Sequence, residues 1–247
     1  MFSLSLSWRD KLAGHMLWVG ALGAGTLLGT QDAQAQFTLP SGLSAGSTYR
    51  LVFLTSGATA ATSTDISTYN SFVTAQAALN SSLPSTNWYA IASTATTSAA
   101  ANIGCGGSCG TDPVYLVNGT EVVASAANLF AATPTGWITL LSAINVFQNG
   151  QTDINPDYAW TGSLNDGSAA AALGSNFVSE GWSVVSDNGY LSSGFTDSNT
   201  TPLEMYAISG ELTVPAAVPE PGSMPLMASG ILLAAGLGWR RHARKSV

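Results

Sequence analysis

Tyr49–Thr55 reads YRLVFLT, and Met205–Val214 reads MYAISGELTV. The first is an almost unbroken run of β-formers, apolar on both alternating faces except at Arg50. That pattern predicts a strand buried on both sides. The second predicts a final strand with an interruption at Gly210. Working outward from the first run, Ser56-Gly57 ends it, and Ser63-Thr64-Asp65 offers a helix N-cap. Ile66, Tyr69, Phe72, Val73, Ala77 and Leu79 then recur at helical spacing, which predicts an amphipathic helix over 65–80, stopped by Asn80 and Pro84. Asn87–Ser93 (NWYAIAS) predicts the next strand. Residues 94–112 read as an Ala/Ser/Thr/Gly loop. Val114–Val117 and Glu121–Ala124 flank Asn118-Gly119, a strong hairpin signal. Short strands are expected at 158–161 and 182–185, a second helix near 138–147, and turns at Asn165-Asp166-Gly167 and Asp187-Asn188-Gly189. The sum is an α+β fold: a single, mostly antiparallel β domain over residues 36–217, with one or two helices.

Charge narrows what this domain does. Only 9% of the 247 residues are charged. Between Gln36 and Ala217 the only cation is Arg50, against eleven acids, and both histidines (His15 and His242) lie outside. The net charge of that stretch is −10. Gripping nucleic-acid phosphates takes several Lys/Arg contacts, so nucleic acid is excluded as a partner. Without a histidine there is no Ser-His-Asp or Cys-His catalysis and no His-containing zinc site. The eighteen aromatic residues of the stretch are enough to build a core and too many for a disordered linker.

Three groupings carry candidate chemistry. Cys105 and Cys109 form a C-x3-C pair in a Gly-rich loop. In an oxidising compartment a disulfide is the favoured state, with metal ligation and redox chemistry as the alternatives. Asp153, Asn155 and Asp157 alternate as D-x-N-x-D, as in the opening of many calcium loops. Tyr158 at the sixth position and Leu164 at the twelfth exclude an EF-hand. Two readings stay open there: a calcium site that borrows Asp166 or Glu180, and a solvated acidic loop. Otherwise no cofactor is expected. Eleven carboxylates and four tryptophans (Trp88, Trp137, Trp160 and Trp182) also supply the raw material of a glycoside hydrolase. Four tryptophans in one domain are more simply read as core.

The two ends carry export signals. Arg9 and Lys11, the apolar run Met16–Thr30, and the small-x-small pattern of Ala33 and Ala35 make a three-part signal peptide over residues 1–35, with cleavage expected after Ala35. At the other end, Met224–Trp239 has no charge in 16 residues. A helix of that length spans about 24 Å, short of the roughly 30 Å hydrocarbon core but able to insert with local thinning. Arg240, Arg241, Arg244 and Lys245 follow as a stop-transfer cluster, which the positive-inside rule keeps cytoplasmic. A transmembrane helix over 224–239 would thus anchor the chain in the inner membrane.

Val218-Pro219-Glu220-Pro221, the short apolar run and the Arg-rich end resemble the PEP-CTERM sorting tail of Gram-negative bacteria, over residues 218–247. The resemblance implies an exosortase-type membrane protease as partner, cleavage near Pro219, Glu220 and Pro221, and delivery to the cell surface or extracellular polysaccharide. The domain itself resembles the C-type-lectin-like fold through strand, helix and Trp88-Tyr89-Ala90-Ile91. Trp160-Thr161-Gly162, Asp166-Gly167, Trp182 and Ile208-Ser209-Gly210 resemble its second half. In that fold the first and last strands pair, which would join 49–55 to 205–214. Its long-range disulfides have no counterpart among two cysteines, and no sugar-binding residues carry over. The expectation is an exported, non-enzymatic surface or matrix protein, its domain a structural or polysaccharide-binding module. The alternative is a carboxylate-based glycoside hydrolase acting on the same polysaccharide.

Overall fold

The computed structural model describes residues 37, 39–105, 110–155 and 157–216. They form a mostly-sheet domain with few helices, built around one mixed sheet. The run that opens the sequence argument is β1, Thr48–Leu54, and its residues Leu51 to Leu54 are fully buried. It is enclosed on both edges. β3 (Val114–Leu116) lies parallel on one side, with Val52 opposite Leu116. β8 (Glu204–Ser209) lies antiparallel on the other, with Val52 opposite Ile208. A central strand covered on both faces needs apolar residues at successive positions, which is why YRLVFLT does not alternate.

The expected final strand is two strands. β8 ends at Ser209, and β9 (Leu212–Thr213) then pairs with the start of β1, Thr48 opposite Thr213. Gly210 marks the break: the register against β1 shifts by one residue across it, while its N–H donates to the Asn87 carbonyl, in line with the pairing of Trp88 with Ser209. The pairing of 49–55 with 205–214 is therefore present. The far edge of β8 is shared by β2 (Trp88–Ala90), antiparallel, and β5 (Tyr158–Trp160), parallel.

Helix α1 spans Ile66–Ala77, with Asp65 as N-cap accepting from the Ser67 N–H. It packs on β2 and buries Tyr69, Val73 and Ala77. Asn70 sits at the junction: its Oδ1 accepts from the Ala90 N–H, while Asn102 Nδ2 donates to the Ala90 carbonyl. Asn102 closes α2 (Ala99–Asn102), one turn of helix inside the stretch expected to be loop. The Asn118-Gly119 hairpin joins β3 to β4 (Glu121–Val123), and Gly119 takes φ +90, open to a residue without Cβ.

Two expectations need correction. No helix forms over 138–147: Ile138, Leu140, Ile144 and Val146 are buried in irregular backbone that bends at 141, 142 and 144 and is held by isolated bridges, Thr139 to Asp187 and Val146 to Thr152. The spacing of two within each buried pair is that of a strand. The strand expected at 182–185 instead ends at Trp182: β6 is Phe177–Trp182, between β5 and β7 (Thr196–Ser198). Its SEG centre hides it, because Ser179 and Glu180 are buried polar residues at strand positions. Among the described residues no helix is long and apolar enough to cross a membrane. The helix expected over 224–239 lies outside them.

Candidate functional site

β5 and β8 start side by side, Ala159 opposite Glu204, and their first turns bring three carboxylates together. Asp153 comes from the loop before β5, Asp157 from the residue preceding β5, and Glu204 opens β8. One carboxylate oxygen from each lies within 4.8 Å of the other two. The backbone around them is tightly held. Asp153 N–H donates to the Asn145 carbonyl at 2.7 Å. The Asp157 carbonyl accepts from the Ser183 N–H at 3.0 Å and from Ser183 Oγ at 2.8 Å. Leu203, just before Glu204, exchanges both backbone bonds with Thr59.

Asp153 is only 5% exposed. Its Oδ1 accepts from the Asn155 N–H at 2.9 Å, and its Oδ2 is buried with no hydrogen-bond partner. Glu204 Oε2 is also buried and unpartnered. Asp157 faces solvent. Burial pushes the Glu204 carboxyl up to about 8, with the charges of Asp157 and then Asp153 adding to it. Burial, then Asp153, raises Asp157. Among the described residues no positive side chain offsets the group: Arg50 is on β1, where it donates to the Ile103 carbonyl at 2.7 Å.

The D-x-N-x-D loop contains Asp153 and Asp157 and lacks Glu204, 47 residues beyond Asp157. Only the parallel pairing of β5 with β8 brings Glu204 in. Asn155 contributes its N–H to the Asp153 turn, and its side chain is exposed. Neither Asp166 nor Glu180 joins the cluster: Asp166 caps its own turn through Ser168, and Glu180 sits on β6.

An aromatic group begins at the next residue of the chain. Tyr158, next to Asp157 in the chain, faces Trp182 across the β5–β6 pair. Their rings stack with centroids 6.3 Å apart at 20°. Phe195, just ahead of β7, meets Tyr158 edge-on at 6.4 Å. Trp182 is 38% exposed and Phe195 62%. The four tryptophans therefore divide. Trp88 and Trp160 are core, with Trp160 Nε1 donating to the Thr59 carbonyl at 2.9 Å, while Trp137, 83% exposed, and Trp182 face solvent.

Two hollows of about 260 Å³ each lie elsewhere. One is framed by Thr74, Asn80, Pro84 and Trp88, the other by Arg50, Tyr89, Asn102 and Glu211. Neither brings two carboxylates together. Cys105 ends the turn after α2 and packs against the core. Cys109 lies outside the described residues, so its pairing with Cys105 stays an expectation. Ala33, Ala35, Pro219, Glu220, Pro221, Arg240, Arg241, Arg244 and Lys245 also lie outside them.

No curated protein matches the chain. No family match supports a C-type-lectin-like assignment for residues 36–217. Residues 217–245 match the PEP-CTERM protein-sorting motif, which is consistent with processing by an exosortase, a membrane enzyme, and supports a protein sorted to the cell envelope.

Proposed function

We propose that this is a non-enzymatic envelope protein, exported through its signal peptide. The C-terminal helix holds it briefly in the inner membrane of a Gram-negative bacterium. An exosortase then cuts near Pro219, Glu220 and Pro221, and the protein passes to the extracellular polysaccharide. There the domain binds a neutral polysaccharide on the platform of Tyr158, Trp182 and Phe195. The observation that carries this reading is the stacking of half-buried Tyr158 on exposed Trp182, extended by exposed Phe195. Aromatic faces left open to solvent suit the apolar C–H faces of sugar rings. The charge of −10 with one arginine disfavours an anionic polymer. Affinity electrophoresis through gels cast with neutral polysaccharides tests it. The wild-type chain is retarded, W182A and F195A migrate at least several-fold closer to the ligand-free rate, and W137A, at a more exposed tryptophan, behaves as wild type. Equal mobility of wild type and W182A in every polymer sinks the reading.

One observation favours a second reading. Burial and the two further carboxylates push the Glu204 carboxyl up to about 8. A protonated acid paired with a carboxylate is the equipment of glycoside hydrolysis. New reducing ends appearing from the bound polysaccharide, and lost in E204Q, would replace the binding module with the enzyme.

A further inference from the structure

We infer that Asp153, Asp157 and Glu204 form a calcium site that fastens the loop before β5 to the starts of β5 and β8. The argument is geometric. Calcium takes carboxylate oxygens at roughly 2.3–2.6 Å, so two ligands of one ion are separated by at most about 5 Å. The three donor oxygens meet that limit as they stand, within 4.8 Å of one another. One ion reaches all three without any rearrangement of backbone.

The second observation is the pair of orphaned oxygens. Asp153 Oδ2 and Glu204 Oε2 are withdrawn from water and accept nothing. Buried polar atoms are ordinarily satisfied, and an unpaired one costs about 1–3 kcal/mol, more when charged. Protein donors do not fill the need here, since the one arginine of the domain is committed at Ile103. A cation supplies what is missing to both oxygens at once. Asp157, on the exposed side, gives the ion a way in and leaves room for water ligands.

The donor set selects the ion. Three hard oxygens and no nitrogen or sulfur disfavour zinc. Magnesium demands near-ideal octahedral geometry and is usually held by one or two carboxylates, whereas calcium accepts irregular sets of six to eight oxygens, with carboxylates binding through one atom or both. Asn155 is not a ligand in this arrangement, and that separates it from a site contained in the D-x-N-x-D loop. The inference stands apart from polysaccharide binding and needs no sugar in its test.

The experiment uses the full-length chain, purified in mild detergent and stripped with chelator. Calcium chloride is titrated calorimetrically, and melting is followed in calcium, in magnesium and in chelator. Expected are one calcium per chain, a melting temperature raised by several degrees in calcium and by less in magnesium, since binding to the folded state alone stabilises it. D153N and E204Q each weaken binding at least tenfold and lose the calcium-dependent shift. N155A keeps both. E204Q keeps the shape of the side chain and cannot ionise, so it folds about as well as wild type without calcium, and its failure to respond is not a failure to fold. No heat and no shift in the wild type at millimolar calcium overturns the site, as does E204Q binding like wild type. Loss of binding in N155A equal to that in E204Q overturns this ligand set.

Discussion

Glu180 lies in the middle of a strand, and its carboxyl is raised first by burial and then by the charge of Asp197 on β7. A carboxyl whose pKa is higher folded than unfolded binds its proton more tightly in the folded chain. Its contribution to stability is complete below the ordinary value of 4.5 and is lost as the pH climbs through the raised one. The domain is therefore expected to melt at a lower temperature near pH 7 than near pH 4.5, and E180Q to flatten that fall. Glu204 and Asp157 shift in the same direction, so the readout is the difference between E180Q and wild type across the two pH values. Parallel curves would show that Glu180 is solvated. The same residue explains why β6 was hard to read. A buried glutamate contradicts the pattern by which strands are recognised, and nothing local reveals that β7 will cover it.

Elements were legible in proportion to how local their causes are. α1 carries its own periodicity and its own cap in Asp65, and the reading of 65–80 is three residues too long only at its C-terminal end. The β3–β4 hairpin announces itself through Asn118-Gly119. β1 could be read because burial on both faces is written directly into its composition. The region 138–147 misled because apolar residues spaced in twos along an irregular chain also satisfy a loose helical count. Two of the three clustered acids lie four residues apart in one loop, and the third, Glu204, was not legible because it enters by strand pairing. Position 181 is the corresponding test of packing between elements. A Cβ on Gly181 would lie 1.8 Å from the Tyr190 carbonyl oxygen, a backbone atom of the 3-10 turn Asn188–Tyr190. Neither partner can swing aside as a side chain would. Overpacking of this kind costs typically 1–3 kcal/mol, so G181A should destabilise by about 2 kcal/mol or more in chemical denaturation. A loss under about 0.5 kcal/mol, the scale of ordinary surface changes, would mean that β6 and the turn are not pressed together.

At the scale of the whole chain, the domain closes on itself just before the sorting motif begins. The Gly46 N–H donates to the Val214 carbonyl at 2.9 Å, and the Val214 N–H donates to the Ser47 carbonyl at the same distance. Val214 is itself buried, so the sheet accounts for the chain up to that residue. The motif starts at 217. The described sheet ends before the matched motif begins, so folding and sorting are expected to separate experimentally. In E220A the domain keeps its melting temperature, because no residue of the sheet or core changes, while the precursor accumulates with the membrane fraction and the trimmed form disappears. Calcium binding by the accumulated precursor should equal that of wild type. An E220A chain trimmed and released at the wild-type rate would remove Glu220 from the recognition of the tail. A precursor that accumulates with a lowered melting temperature would instead mean that the segment beyond Val214 takes part in the fold.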